Sequence, residues 1–184
     1  MTDVAISDRA RTATGGLCAT GLIASVITAN WLTTRYGFIP IGLGQQATAG
    51  TLAAGFALAL RDGVQDTLGK LGTLAVILAA CAVSYLIAAP AIAIASAVAF
   101  LVAELCDFAV YTPLRRRSRL GDRRWAGAVT ASGVVGAVVD TVVFLGLAFG
   151  WAAVAPAIIG QLLGKLWATL MYLIIGKVVA RWNR

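Results

Sequence analysis

LGTLAVILAACAVSYLIAAPAIAIASAVAFLVAELCDFAVYTPLR, residues 71–115, holds no charge before Glu104. As one helix, residues 71–103 would be about 50 Å long, against a bilayer core of about 30 Å. That is too long for one crossing at modest tilt. Pro90 sits in the middle and cannot continue a helix interior. The stretch therefore predicts two membrane spans, 71–88 and 91–114, and similar apolar blocks predict four more at about 12–32, 40–60, 126–150 and 154–176. The expectation is an all-α membrane protein: one integral membrane domain over 1–184 made of a bundle of six transmembrane helices. Residues 1–11 and 177–184 would be cytoplasmic tails.

Composition agrees. The chain is 60% hydrophobic and 12% charged, with a mean hydropathy of +0.87. A soluble domain of this size is nearer half apolar and a quarter charged. The first apolar block is too long for the h-region of a cleavable signal, which predicts that it stays in the membrane. Cys18, Cys81 and Cys106 lie in apolar stretches without metal-ligand spacing, and there is no histidine. This predicts no metal site and no cofactor, and leaves proton chemistry to carboxylates, lysine or tyrosine.

The net charge of +7 is distributed by side. Arg9 and Arg11, Arg61 and Lys70, the run Arg115, Arg116, Arg117, Arg119, Arg123 and Arg124, and Lys177, Arg181 and Arg184 fall on one side of a six-span layout. Arg35 alone falls on the other, and Lys165 lies within a span. That asymmetry predicts both termini in the cytoplasm and explains the positive charge by topology rather than by nucleic acid. Gly21, Ser25 and Ala29, and likewise Gly160 and Gly164, recur every four residues. Such stripes let helices approach closely, within the bundle or between two copies of a homodimer.

Glu104, Asp107, Asp140 and Lys165 lie inside apolar spans. Each charge opposes insertion by about 2.5–3.5 kcal/mol, so they are expected to face a protein interior or wet cavity. At 100° per residue, Glu104, Asp107 and Tyr111 share one helix face, Gly133, Gly136 and Asp140 a second, and Gln161, Lys165, Thr169 and Tyr172 a third. Converging stripes would make a polar core. Glu104, Asp140 and Lys165 are expected near mid-depth, with Asn30 and Gln161 towards the outer side. Asp107 and Tyr111 are expected nearer the cytoplasm. Arg61, Asp62, Gln65 and Asp66 are expected at the cytoplasmic edge, as a headgroup-level anchor or a gate. The simplest structural role for Lys165 is to pair with one acid, which leaves other carboxylates to be protonated, hydrogen-bonded or matched by a ligand.

No G-x-S-x-G, Walker A or H-E-x-x-H pattern occurs, and Asp62-Gly63 lacks the rest of the lipid-alcohol phosphotransferase motif, so no enzyme is predicted. The order of Ala29-Asn30-Trp31, Leu60-Arg61-Asp62, Ala95-Ser96 through Phe100, Ala103-Glu104-Leu105-Cys106-Asp107, Val110-Tyr111-Thr112-Pro113-Leu114, Val139-Asp140, Gly160-Gln161 and Gly164-Lys165 resembles the VUT family of queuosine-precursor transporters. The Glu-x-x-Asp-x-x-x-Tyr set followed by Val-Asp is its most specific part.

The resemblance implies a multi-pass protein of the bacterial cytoplasmic (inner) membrane that imports 7-deazaguanine bases: 7-cyano-7-deazaguanine, its aminomethyl analogue, or queuine. Where the family pattern has Ser-Asn, this chain has Ser132-Gly133, one polar contact fewer. A guanine-like edge offers two adjacent N–H donors that one carboxylate accepts together, which suits Glu104 or Asp140. Gln161 and Asn30 could meet the carbonyl or a ring nitrogen, and a second carboxylate would offset an aminomethyl cation. The expected substrate-binding set is thus Asn30, Glu104, Asp107, Tyr111, Asp140, Gln161 and Lys165. An alternative is an S-component-like binding subunit of an ATP-driven vitamin or base importer, which needs an energising partner.

Overall fold

The computed structural model describes residues 8–116 and 118–182, with side chains at 8–12, 107–108 and 179–182 excepted. The side chain of Asp107 and the outermost tail residues therefore lie outside the description. Helix α1 spans Asp8–Tyr36, followed by strands β1 (Phe38–Gly42) and β2 (Gln45–Thr48), then helices α2 (Thr51–Ile87), α3 (Pro90–Arg115), α4 (Arg123–Phe149) and α5 (Val154–Trp182). One 3-10 turn, Trp151–Ala153, leads into α5.

The ends of these helices follow local chemistry. Pro90 occupies the first turn of α3, where its missing N–H costs nothing, and Ala89 before it is extended. The Ala89 amide instead donates to the Thr34 hydroxyl, 3.1 Å away. Asp122 caps α4 by accepting from the Trp125 amide. Within α3, the stretches Pro90–Cys106 and Ala109–Arg115 are inclined at 45°. Pro113 lies inside this helix and cannot donate to the carbonyl of Ala109 four residues back.

Helix α2 is not straight. Gly69 has φ 71° and ψ −180°, a conformation that breaks the helix and that L side chains rarely adopt. As a continuous rod, the 37 residues of α2 would be about 55 Å long. Yet both its ends reach the same turns of α1. Gly50, just before α2, packs so tightly on Ala29 that an added Cβ would lie 2.0 Å from its carbonyl oxygen. Ser84, near the far end, accepts a 2.7 Å hydrogen bond from Asn30. The element therefore doubles back at Gly69 into two arms, 51–68 and 70–87.

Contacts sort the molecule into two ends. At one lie Thr34 with Ala89, Phe38 with Phe149, and Gly160 against Gln46. At the other lie Gly15 against Thr67, Gly63 against Cys18 and Tyr172, and Gly176 against Trp125. Between them a central cluster joins Leu22 and Val26 of α1, Ala57, Leu58, Ile77 and Ala80 from both arms of α2, Phe100 of α3 and Ala137 of α4. The outward faces remain apolar, with Leu71, Leu86, Leu105 and Ile174 largely exposed. A water-soluble protein does not present so many large apolar side chains. The small-residue stripes are used inside the chain: Gly21 meets Leu60, Gly160 meets Gln46, and Gly164 meets Thr51.

Among the described residues, four helical stretches are long and apolar enough to cross a membrane, and the bent α3 makes a fifth if its two stretches are one span. Six separate spans were expected; the second and third lie in the single element α2. Residues 38–48, partly assigned to a span beginning at 40, form an antiparallel hairpin instead. Phe38 pairs with Thr48 and Ile39 with Ala47, and positive φ angles at Gly42, Leu43 and Gly44 make its turn. The expected loop 61–70 is helical up to Gly69. Helix α1 already begins at Asp8, inside the expected tail.

Candidate functional site

A small cavity of about 30 Å³ lies inside the bundle, at the level of Asn30 and Gln161. Its polar lining comes from four helices and the hairpin: Asn30 and Thr33 of α1, Thr48 of β2, Ser96 of α3, Asp140 of α4, and Gln161 and Lys165 of α5. Phe100 and Phe144 complete it with flat apolar surface. The volume holds a few waters and is too small for a bicyclic ring.

Asp140 and Lys165 form an ion pair, Nζ to Oδ2 2.5 Å, and the same ammonium donates to Thr141 Oγ1 at 2.7 Å. The lysine side chain is 2% exposed and that of Asp140 10%. Such a pair persists in a low-dielectric interior because each charge supplies what the other loses in leaving water. Small residues seat it: Gly55 of α2 faces the backbone of Lys165 so closely that a Cβ there would lie 2.8 Å from its Cα.

One turn before Lys165, Gln161 is held by two hydroxyls. Its Nε2 donates to Thr48 Oγ1 at 2.9 Å, and its Oε1 accepts from Thr51 Oγ1 at 2.5 Å. The two threonine hydroxyls are 3.1 Å apart, closing a ring of three hydrogen bonds. An amide so held still has one N–H and one lone pair to offer. Asn30 is anchored through Ser84.

A second polar cluster lies one turn of α3 beyond Phe100. Arg61 NH1 is 3.1 Å from Glu104 Oε2, and Arg61 NH2 is 3.0 Å from Asp62 Oδ1. The Ser132 hydroxyl donates to Asp62 Oδ2 at 3.3 Å. All four side chains are buried. A third group follows on the same arm of α2. Asp66 accepts from Arg115 Nε at 2.6 Å and from the Tyr111 hydroxyl at 3.2 Å, while Gln65 donates to Thr112 at 3.1 Å. Residues 61, 62, 65 and 66 thus form one polar stripe joining the first arm of α2 to α3 and α4.

The expected binding residues are therefore divided. Asn30, Asp140, Gln161 and Lys165 share the cavity. Glu104 does not join them but pairs with Arg61, and Tyr111 lies further on with Asp66. Arg61 and Asp62, expected at an exposed edge, are wholly buried because the first arm of α2 runs on past them to Leu68 and presses them between α3 and α4. Sequence reasoning missed Arg61 as a second internal cation. It also missed the hydroxyls of Thr48, Thr51, Ser132 and Thr141. Thr141 was signalled by its place beside Asp140; Thr48 was hidden by reading the hairpin as part of a span. Among the described residues, no group of three or more His, Cys, Asp or Glu could hold a metal ion.

No curated protein and no solved structure matches the chain. A family model does match, and its range takes in Glu104, Tyr111, Asp140, Gln161 and Lys165 while leaving out Asn30, the hairpin and Arg61. That match, to the Vut_1 family described as "Putative vitamin uptake transporter", covers residues 83–179, more than half of a multi-pass, charge-lined helical bundle, and the chain belongs to that family of membrane transporters.

Proposed function

We propose that this transporter imports queuosine precursors, 7-deazaguanine bases, across the bacterial cytoplasmic membrane. The observation that carries the reading is the Asp140–Lys165 pair facing a cavity beside Gln161. A guanine edge presents a carbonyl acceptor next to two N–H donors. A carboxylate with an ammonium at 2.5 Å offers the complementary acceptor and donor side by side. Gln161 and Asn30 add neutral hydrogen-bonding groups, and Phe100 and Phe144 give faces on which a flat ring can stack.

The chain crosses six times in this reading, with both termini cytoplasmic. The reversal at Gly69 supports it by making two crossings of α2, and so does the gathering of Lys70, Arg115 and Lys177 at the end opposite the hairpin. The cavity is contracted here, so carrying a base requires the helices around it to separate. Arg61, Asp62, Gln65 and Asp66 form the cytoplasmic gate, because their bonds to α3 and α4 lie between the cavity and the basic end and must break for release.

Expression of the chain alone in cells that cannot make or otherwise import the precursor tests this. Uptake of labelled 7-cyano-7-deazaguanine without added proteins is expected. Absence of uptake, with the purified protein still binding the base, would instead support a binding subunit that needs an ATP-driven module.

A further inference from the structure

We infer that the cavity accepts an uncharged cargo and turns away one bearing an ammonium group, with Lys165 setting that preference. This rests on the base-carrier reading above and narrows it within the deazaguanines. Among the described residues, the charged side chains lining the cavity are Asp140 and Lys165, which balance each other at 2.5 Å. A cationic cargo would need a further carboxylate. Glu104, the further carboxylate of the expected set whose side chain is described, lies outside the lining and faces the Arg61 guanidinium at 3.1 Å. An ammonium entering the site would therefore shed its water beside the Lys165 cation and find Asp140, the carboxylate of the described lining, already matched. A neutral base exchanges hydrogen bonds with the pair and leaves the charge balance intact.

The chemistry separates two close relatives. The cyano base is uncharged at neutral pH, whereas the aminomethyl base carries an ammonium. Ligand-induced stabilisation of the purified full chain, titrated with each base at pH 7, gives an apparent Kd for both. The aminomethyl base should bind at least about tenfold more weakly. Equal or tighter binding of the cation to the unmutated protein overturns the inference. In Lys165→Gln, where Asp140 stands alone, the ratio should move at least about tenfold towards the cation. A folded variant with an unchanged ratio overturns the role of Lys165. If the variant does not fold, the unmutated pair decides.

Should neither deazaguanine stabilise the protein, the cargo reading fails by itself. Nicotinamide and the 1-methylnicotinamide cation, matched in ring and amide edge, then decide the charge preference. Tighter or equal binding of that cation, or no stabilisation by any of the four compounds, overturns it.

Discussion

Replacing Lys165 with methionine removes the cation that sits 2.5 Å from Asp140 while keeping most of the volume of the lysine stem. Removing one partner of a buried pair costs about 3–5 kcal/mol, chiefly because the other charge is left behind. Asp140 keeps 10% of its side chain exposed through the cavity, which places the expected loss at the lower end, about 3 kcal/mol. Asp140→Asn should cost about 1–3 kcal/mol, since the ammonium retains Thr141 and gains an amide oxygen. The double variant strands no charge and swaps side chains of similar size. It should cost far less than the sum, with a coupling energy of at least about 1.5 kcal/mol. Reversible unfolding in mixed micelles, measured on all four proteins, gives the cycle. Additive single effects, each below about 1 kcal/mol, would refute the claim that this pair is buried and mutually dependent.

Glu104→Gln should lower the rate of uptake while leaving base affinity nearly unchanged, whereas Asp140→Asn should abolish binding; initial-rate kinetics alongside equilibrium binding separates them. Gly160→Ala would place a Cβ 2.1 Å from the Gln46 carbonyl oxygen, and should destabilise by about 1–3 kcal/mol or more. Gly133→Ala meets Thr169 at an ordinary 3.5 Å and should be neutral or up to about 1 kcal/mol stabilising, as melting of both variants will show. Asp122→Ala should cost about 1 kcal/mol by uncapping α4. The Arg119 and Trp125 amides hold the Asp122 carboxyl below its usual 3.8, so its benefit is complete above that value. The difference between wild type and variant should shrink as pH falls through the lowered value, which paired unfolding curves from pH 7 downwards would record.

Much of this architecture was legible because apolar length and proline placement are local signals. Pro90 stands at the start of α3, just after α2 ends at Ile87, and the basic run 115–124 spans the connection between α3 and α4. The mistakes came where charge was taken as a boundary. Arg61, Asp62 and Asp66 looked like a solvent edge, yet a helix carries the first two into the interior, where Glu104 and Ser132 compensate them. Hydropathy cannot see a partner supplied by another helix. The hairpin was missed for the opposite reason: from residue 40 onward, Ile41 and Ala47 add apolar weight that reads as the start of a membrane span. Helix periodicity found the polar stripes but not their relative heights. It placed Glu104 and Asp140 at one level, whereas their different cations, Arg61 and Lys165, hold them in separate clusters.

The most direct measurement is a structure of the full chain with 7-cyano-7-deazaguanine bound. The account predicts the base in an enlarged cavity, its donor edge on Asp140, its carbonyl towards Lys165, and Gln161 and Asn30 at its rim. A base seated instead between Arg61 and Glu104, or on the lipid-facing surface with the Asp140–Lys165 pair undisturbed, would contradict it.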